Sequence, residues 1–111
     1  MARINYVELP VDDVAGLKSF YADAFGWTFA DYGPDYAATT TGDVDLGLNG
    51  DRDQRTAQLL PVIEVSDLEA AQAAVEGAGG RVTLPIFAFP GGRRFHFADP
   101  HGHELAVMQA A

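Results

Sequence analysis

A chain of 111 residues is long enough for one domain around one hydrophobic core and too short for two independent ones. Apolar residues at 48% and charged residues at 21% are the proportions of an ordinary globular protein. The net charge of −9, with Arg93-Arg94 the only basic pair, argues against nucleic-acid binding through phosphate neutralisation, and the lack of cysteine excludes disulfides, thiolate zinc sites and a cysteine nucleophile. With no apolar signal region and nothing near the ~18 apolar residues of a membrane span, a cytoplasmic protein with no membrane partner is expected.

In chain order, Ile4 to Val11 is rich in β-branched and apolar residues and reads as a strand. Asp12-Asp13 then caps a helix whose apolar stripe is Val14, Leu17, Tyr21 and Ala24, and Gly26 stops it. Strands are expected at Trp27 to Ala30, Tyr36 to Thr40 and Val44 to Leu48. After the polar stretch Asn49 to Arg55 the same order returns. Leu59 to Val65 is a strand, and Ser66 or Asp67 caps a helix carrying Leu68, Ala71, Val75 and Ala78. Gly79-Gly80 ends that helix, and strands follow at Arg81 to Leu84, Arg94 to Ala98 and Glu104 to Met108.

A duplication holds one offset through several landmarks. Val11 and Val65, Asp13 and Asp67, Val14 and Leu68, and Gly26 and Gly80 are each 54 positions apart. The closing turns Thr41-Gly42 and His101-Gly102 match at an offset of 60, which short loop insertions explain. The fold class is therefore α+β, with two tandem β-α-β-β-β modules, about 1–50 and 56–111, in a single domain.

Glu8-Leu9-Pro10-Val11-Asp12-Asp13, Phe20-Tyr21, Phe25-Gly26-Trp27, Val65-Ser66-Asp67-Leu68, Gly79-Gly80 and Phe97-Ala98-Asp99-Pro100-His101-Gly102 form an ordered set along nearly the whole chain. At these spacings the set resembles the vicinal oxygen chelate superfamily, which includes glyoxalase I, extradiol dioxygenases, and fosfomycin and bleomycin resistance proteins. The resemblance implies a curved mixed sheet around a central ligand pocket. It also implies a divalent metal held by four side chains, one from the first and one from the last strand of each module.

Counted from the landmarks, those positions carry Tyr6, Leu60, Leu46 and Ala106. Leucine and alanine have no donor atom, and a tyrosine phenol alone is a poor substitute for imidazole or carboxylate. No metal and no cofactor are therefore expected.

Alternation along the strands adds Glu8, Val62, Glu64, Glu104 and Met108 to the same side. The resemblance nominates His96, the third residue before the Asp99-Pro100 turn, and with it Arg94, while module symmetry nominates Tyr36 as the partner of His96. The expected ligand-binding set is Tyr6, Glu8, Tyr36, Leu46, Leu60, Glu64, Arg94, His96 and Ala106, an apolar floor with few oriented polar groups. Glu8 and Glu64 have the alternative of pairing with Arg94 or Arg81, and His96 that of a hydrogen-bonded sheet histidine. Trp27, Phe29, Phe95 and Phe97 are expected in the helix–sheet core. His101 and His103 are expected in an exposed turn, and Pro90-Gly91-Gly92-Arg93-Arg94 in a strand-connecting loop.

Three functions fit these residues. One is a metal-free binder of a small organic molecule, like the bleomycin resistance branch, working as a homodimer. Another is a metal-independent enzyme of lyase or isomerase type, with His96 or Glu8 as acid or base and Arg94 steadying negative charge. The third is a metal-dependent glyoxalase or dioxygenase whose ligands lie elsewhere.

Overall fold

The computed structural model describes residues 2–111. The element order is β1 (Arg3–Pro10), α1 (Val14–Phe25), β2 (Phe29–Asp31), β3 (Tyr36–Thr39), β4 (Asp45–Asn49), β5 (Leu60–Glu64), α2 (Leu68–Gly77), β6 (Arg81–Phe89), β7 (Gly92–Ala98) and β8 (Glu104–Ala110). Two compact units result: Tyr6–Leu59, and Leu60–Ala111 together with residues 2–5.

Each unit is a mixed sheet with one helix, and the two have the same plan. In the first unit the strands run in the order β1-β4-β3-β2, with β1 parallel to β4 and the remaining pairs antiparallel. In the second the order is β5-β8-β7-β6, again with the first and last strands of the module parallel. The expected β-α-β-β-β repeat is thus present twice, as an α+β fold.

The caps repeat as well. Asp13 and Asp67 both sit in extended backbone and accept a hydrogen bond from the amide three residues on, Gly16 N and Ala70 N, each at 3.0 Å. Such a cap satisfies one of the amides that a helix start leaves without an intrahelical partner. The turn glycines Gly42 and Gly102 take matching left-handed conformations, φ 83° and 87°, which a side chain would strain.

The helices differ in how they pack. α2 buries Leu68 completely against Phe95 and Val107, with Ile63, Val75 and Phe97 packed around them. Fully burying such a side chain contributes roughly 1.5–3 kcal/mol. α1 has no buried residue, and Phe20, Phe25 and Trp27 remain 58%, 63% and 42% exposed.

The aromatic expectation therefore splits. Phe95 is fully buried and Phe29 and Phe97 are partly buried, but Trp27 lies outside any strand. Trp27 stacks on Tyr21 and Phe25 at ring separations of 5.4 and 5.2 Å, because Gly26 ends α1 and turns the chain back along the aromatic side of the helix. Pro90 and Gly91 form the tip of the β6–β7 hairpin, and β6 is longer than expected, with two register shifts around Leu84. Among the described residues no helix is long and apolar enough to cross a membrane.

Candidate functional site

In the first unit, β1 places Tyr6 and Glu8 on one side of the sheet. Glu8 is paired with Gly47 of β4, and Gly47 in turn with Ala38 of β3. Tyr36 and Asn49, paired with each other, lie on the same side because partners in register share a face.

These residues form one hydrogen-bonded chain. Tyr36 Oη donates to Glu8 Oε1 at 2.9 Å, and the Tyr6 and Tyr36 hydroxyl oxygens are 2.5 Å apart. Asn49 Nδ2 donates to Glu8 Oε2 at 3.4 Å, so both carboxylate oxygens accept while the Glu8 residue is only 2% exposed. Burial, then the Glu8 charge and the Tyr6 phenol beside it, hold the Tyr36 phenol far above its usual range. Tyr36 is therefore a neutral donor and not a phenolate.

Gly47 makes this packing possible. A Cβ there would stand 2.0 Å from Tyr6 Oη and 2.4 Å from Tyr36 Oη, well inside contact distance. Glycine in a strand interior commonly marks such a close approach.

In the second unit, Leu60, Val62 and Glu64 share a side with Ala106, Met108, Arg94 and His96, through the pairs Val62–Ala106, Glu64–Met108, His96–Ala106 and Arg94–Met108. His96 Nδ1 lies 3.1 Å from Glu104 Oε2, with the imidazole 3% exposed and the carboxylate 37%. The Arg94 guanidinium lies over the rings of Phe87 and Phe89, at 5.3 and 5.6 Å from their centroids. Glu64 Oε1 accepts from Asn5 Nδ2 at 3.0 Å. Leu60 and Ala106 are fully buried.

Two expectations need correction. Leu46 does not share a side with Tyr6 and Glu8; it is paired with Val7 and points to the other face, where it lines a groove of about 340 Å³ with Trp27 and Val44. The counterpart of Ala106 is Gly47, because Glu8–Gly47 repeats the Val62–Ala106 pair. The difference has a physical cause: Gly47 stands five positions after Gly42 whereas Ala106 stands four after Gly102, and a shift of one reverses the face. Tyr36, likewise, occupies the place of Arg94, and the counterpart of His96 is Ala38. Gly47 and Asn49 were not foreseen. A lone glycine within Asp45-Leu46-Gly47-Leu48-Asn49 was the available signal.

Tested by register, the family's metal positions carry Tyr6, Gly47, Leu60 and Ala106. This set does not fit a divalent ion: three of the four have no side-chain donor, and the space above Gly47 is taken by two phenols. Among the described residues no group of three or more His, Asp or Glu side chains is placed to hold a metal ion. His101 and His103 are exposed in the closing turn, where His103 Nδ1 is 2.9 Å from Asp99. Hydrogen bonds from the His103 ring and amide hold the Asp99 carboxyl below its usual range.

The family model described as Glyoxalase/Bleomycin resistance protein/Dioxygenase superfamily matches residues 3–107. A superfamily member from Vibrio splendidus 12B01 is similar in structure, with 20% identity, full coverage of both chains and a TM-score of 0.72. Methylmalonyl-CoA epimerase from Mycobacterium tuberculosis is 18% identical over 97% of this chain and 87% of its own, with a TM-score of 0.74. The Mn(II)-bound glyoxalase from Novosphingobium aromaticivorans is 25% identical over 98% of this chain and 40% of its own, with a TM-score of 0.71. No curated protein matches the chain.

Proposed function

Given that the chain belongs to the glyoxalase/bleomycin resistance protein/dioxygenase superfamily, we propose that it binds a small organic molecule without a metal. The observation that carries this reading is the set of residues at the family's ligand positions, Tyr6, Gly47, Leu60 and Ala106, which cannot replace imidazole and carboxylate. The binding chemistry is then supplied by the side chains around those positions: Tyr6, Glu8, Tyr36 and Asn49 on the first unit, and Arg94, His96 and Glu104 on the second. Thermal-shift screening of a small-molecule library against chelator-treated protein tests it. Hits recovered chemically unchanged are expected, and a library without a single stabilising compound contradicts it.

A second reading, a metal-independent enzyme, is favoured by the His96–Glu104 pair. A carboxylate on Nδ1 fixes the ring tautomer, as a histidine acting as acid or base requires. Turnover lost in His96→Ala with binding retained supports this reading, and equal turnover removes it. We also propose that the chain works in the cytoplasm as a homodimer, supported by the exposed Phe20, Phe25 and Trp27; a monomeric mass in light scattering contradicts the dimer.

A further inference from the structure

We infer that the groove beside Trp27, on the side of the first unit's sheet to which Leu46 points, is a further binding site and that it takes a planar organic cation. The inference goes beyond the small-molecule reading at Tyr6 and Glu8 and does not depend on it.

The indole supplies a flat wall. Tyr21 and Phe25 stack on Trp27 at 5.4 and 5.2 Å, and their own centroids are 6.4 Å apart. Rings on opposite faces of the indole would be separated by nearly the sum of the first two distances, so both lie on one face. The other face is turned away from them, and Trp27 stays 42% exposed and lines the groove with Val44 and Leu46. Thr39 stands on the side of Leu46, since both alternate with the register pair Ala38–Gly47.

A charge stands at the same place. Asp45, the first residue of β4, turns its carboxylate to Thr39 and Thr41, and all three line the groove. Oδ1 accepts from Thr39 Oγ1, Thr41 N and Thr41 Oγ1 at 2.8, 2.8 and 2.9 Å, and Oδ2 accepts from Gly42 N at 3.1 Å. Burial acts to raise the Asp45 pKa, but these bonds outweigh it and keep the carboxyl below its usual range. All four donors are neutral, so they hold the negative charge without cancelling it. None of the described residues lining the groove is basic. An indole face is itself negative and attracts a cation, and the net charge of −9 concentrates cations near the surface. A volume of about 340 Å³ admits a bicyclic ring system. Phe20 and Phe25 are not part of the lining, so filling the groove leaves them for self-association.

Trp27 is the single tryptophan, so one indole N–H resonance reports on the site. Titration of N-methylquinolinium, quinoline and naphthoate into the 15N-labelled full chain near neutral pH, followed at that resonance and at the amides of Val44 and Leu46, tests the inference. The cation is expected to bind about threefold or more tightly than neutral quinoline, and naphthoate to bind weakest. Asp45→Asn should bring the cation and quinoline to nearly equal affinity. Val44→Lys, at an exposed position, should do the same and keeps the test decisive where Asp45→Asn folds poorly. Quinoline bound as tightly as the cation by the wild type, an unchanged preference in the folded variants, or no shift at these residues overturns the inference. An affinity that weakens as the chain self-associates assigns the groove to a second copy and overturns it as well. Shifts at Tyr6 and Asn49 in place of those at Trp27 overturn this site alone; the small-molecule reading fails only with the library screen.

Discussion

The two modules repeat one plan and use it differently. Their strand orders, parallel pairings, aspartate caps and left-handed turn glycines coincide. Yet α2 drives Leu68 into a closed cluster with Phe95 and Val107, whereas α1 keeps every residue at least partly exposed. The polar chemistry differs too. The first module carries two phenols and a carboxylate over a glycine, and the second an imidazole–carboxylate pair beside an arginine. Backbone topology is thus retained while the side chains on the sheet faces diverge.

The contrast in packing is broken most severely in the second module. Phe95→Ala should lower stability by about 3–5 kcal/mol and Leu68→Ala by about 2–5 kcal/mol, read from urea midpoints. If either costs no more than Trp27→Ala, which should stay within about 0.5 kcal/mol as a surface change, the modules do not differ as described.

Gly47→Ala tests the polar contrast. Its methyl has to displace Tyr6 or Tyr36, an overpacking cost of about 1–3 kcal/mol, together with loss of the phenol contact. Ala106, at the matching place, carries the same methyl in a module that contains no tyrosine.

Tyr36→Phe withdraws a donor from the buried Glu8 and should cost about 1–3 kcal/mol near neutral pH. It also removes a pH dependence. In the folded chain the Tyr36 phenol titrates well above its ordinary value of 10.0, so the folded state holds a proton that the unfolded chain releases. Its contribution is complete below about pH 10 and declines as the pH rises beyond that. Urea midpoints at about pH 8 and about pH 10.5 should therefore fall further for the wild type than for Tyr36→Phe; equal falls contradict the placement of Tyr36.

The smallest effect sharpens the similarity of the modules. Asp13→Ala and Asp67→Ala should each cost about 1 kcal/mol, since the two caps have the same geometry.

Much of the fold could be read in advance because its signals are local. Asp13 and Asp67, the left-handed Gly26 and Gly79, and the stripes beginning at Val14 and Leu68 mark helix ends and faces by short-range chemistry. Of the candidate site, the shared side of Tyr6 with Glu8 and of Leu60 with His96 follows from strand alternation and the spacing of resembling motifs. Leu46 failed because an additional residue between Gly42 and the strand shifts parity, and parity decides the face. Trp27 failed because burial depends on what packs over a residue and not on its type. The link between Tyr6, Tyr36 and Glu8 lies beyond local reasoning, since it joins strands 28 and 30 positions apart over a glycine whose role appears only once the phenols meet.

The central claim, that the ligand positions of this superfamily member work without a metal, is tested most directly by calorimetric titration of Mn²⁺, Ni²⁺ and Zn²⁺ into chelator-treated protein, with elemental analysis of the dialysed product. No stoichiometric metal and unchanged tyrosine absorbance are predicted. Retention of a full equivalent of any of these ions, lost on Tyr6→Phe or Glu8→Gln, would contradict the account.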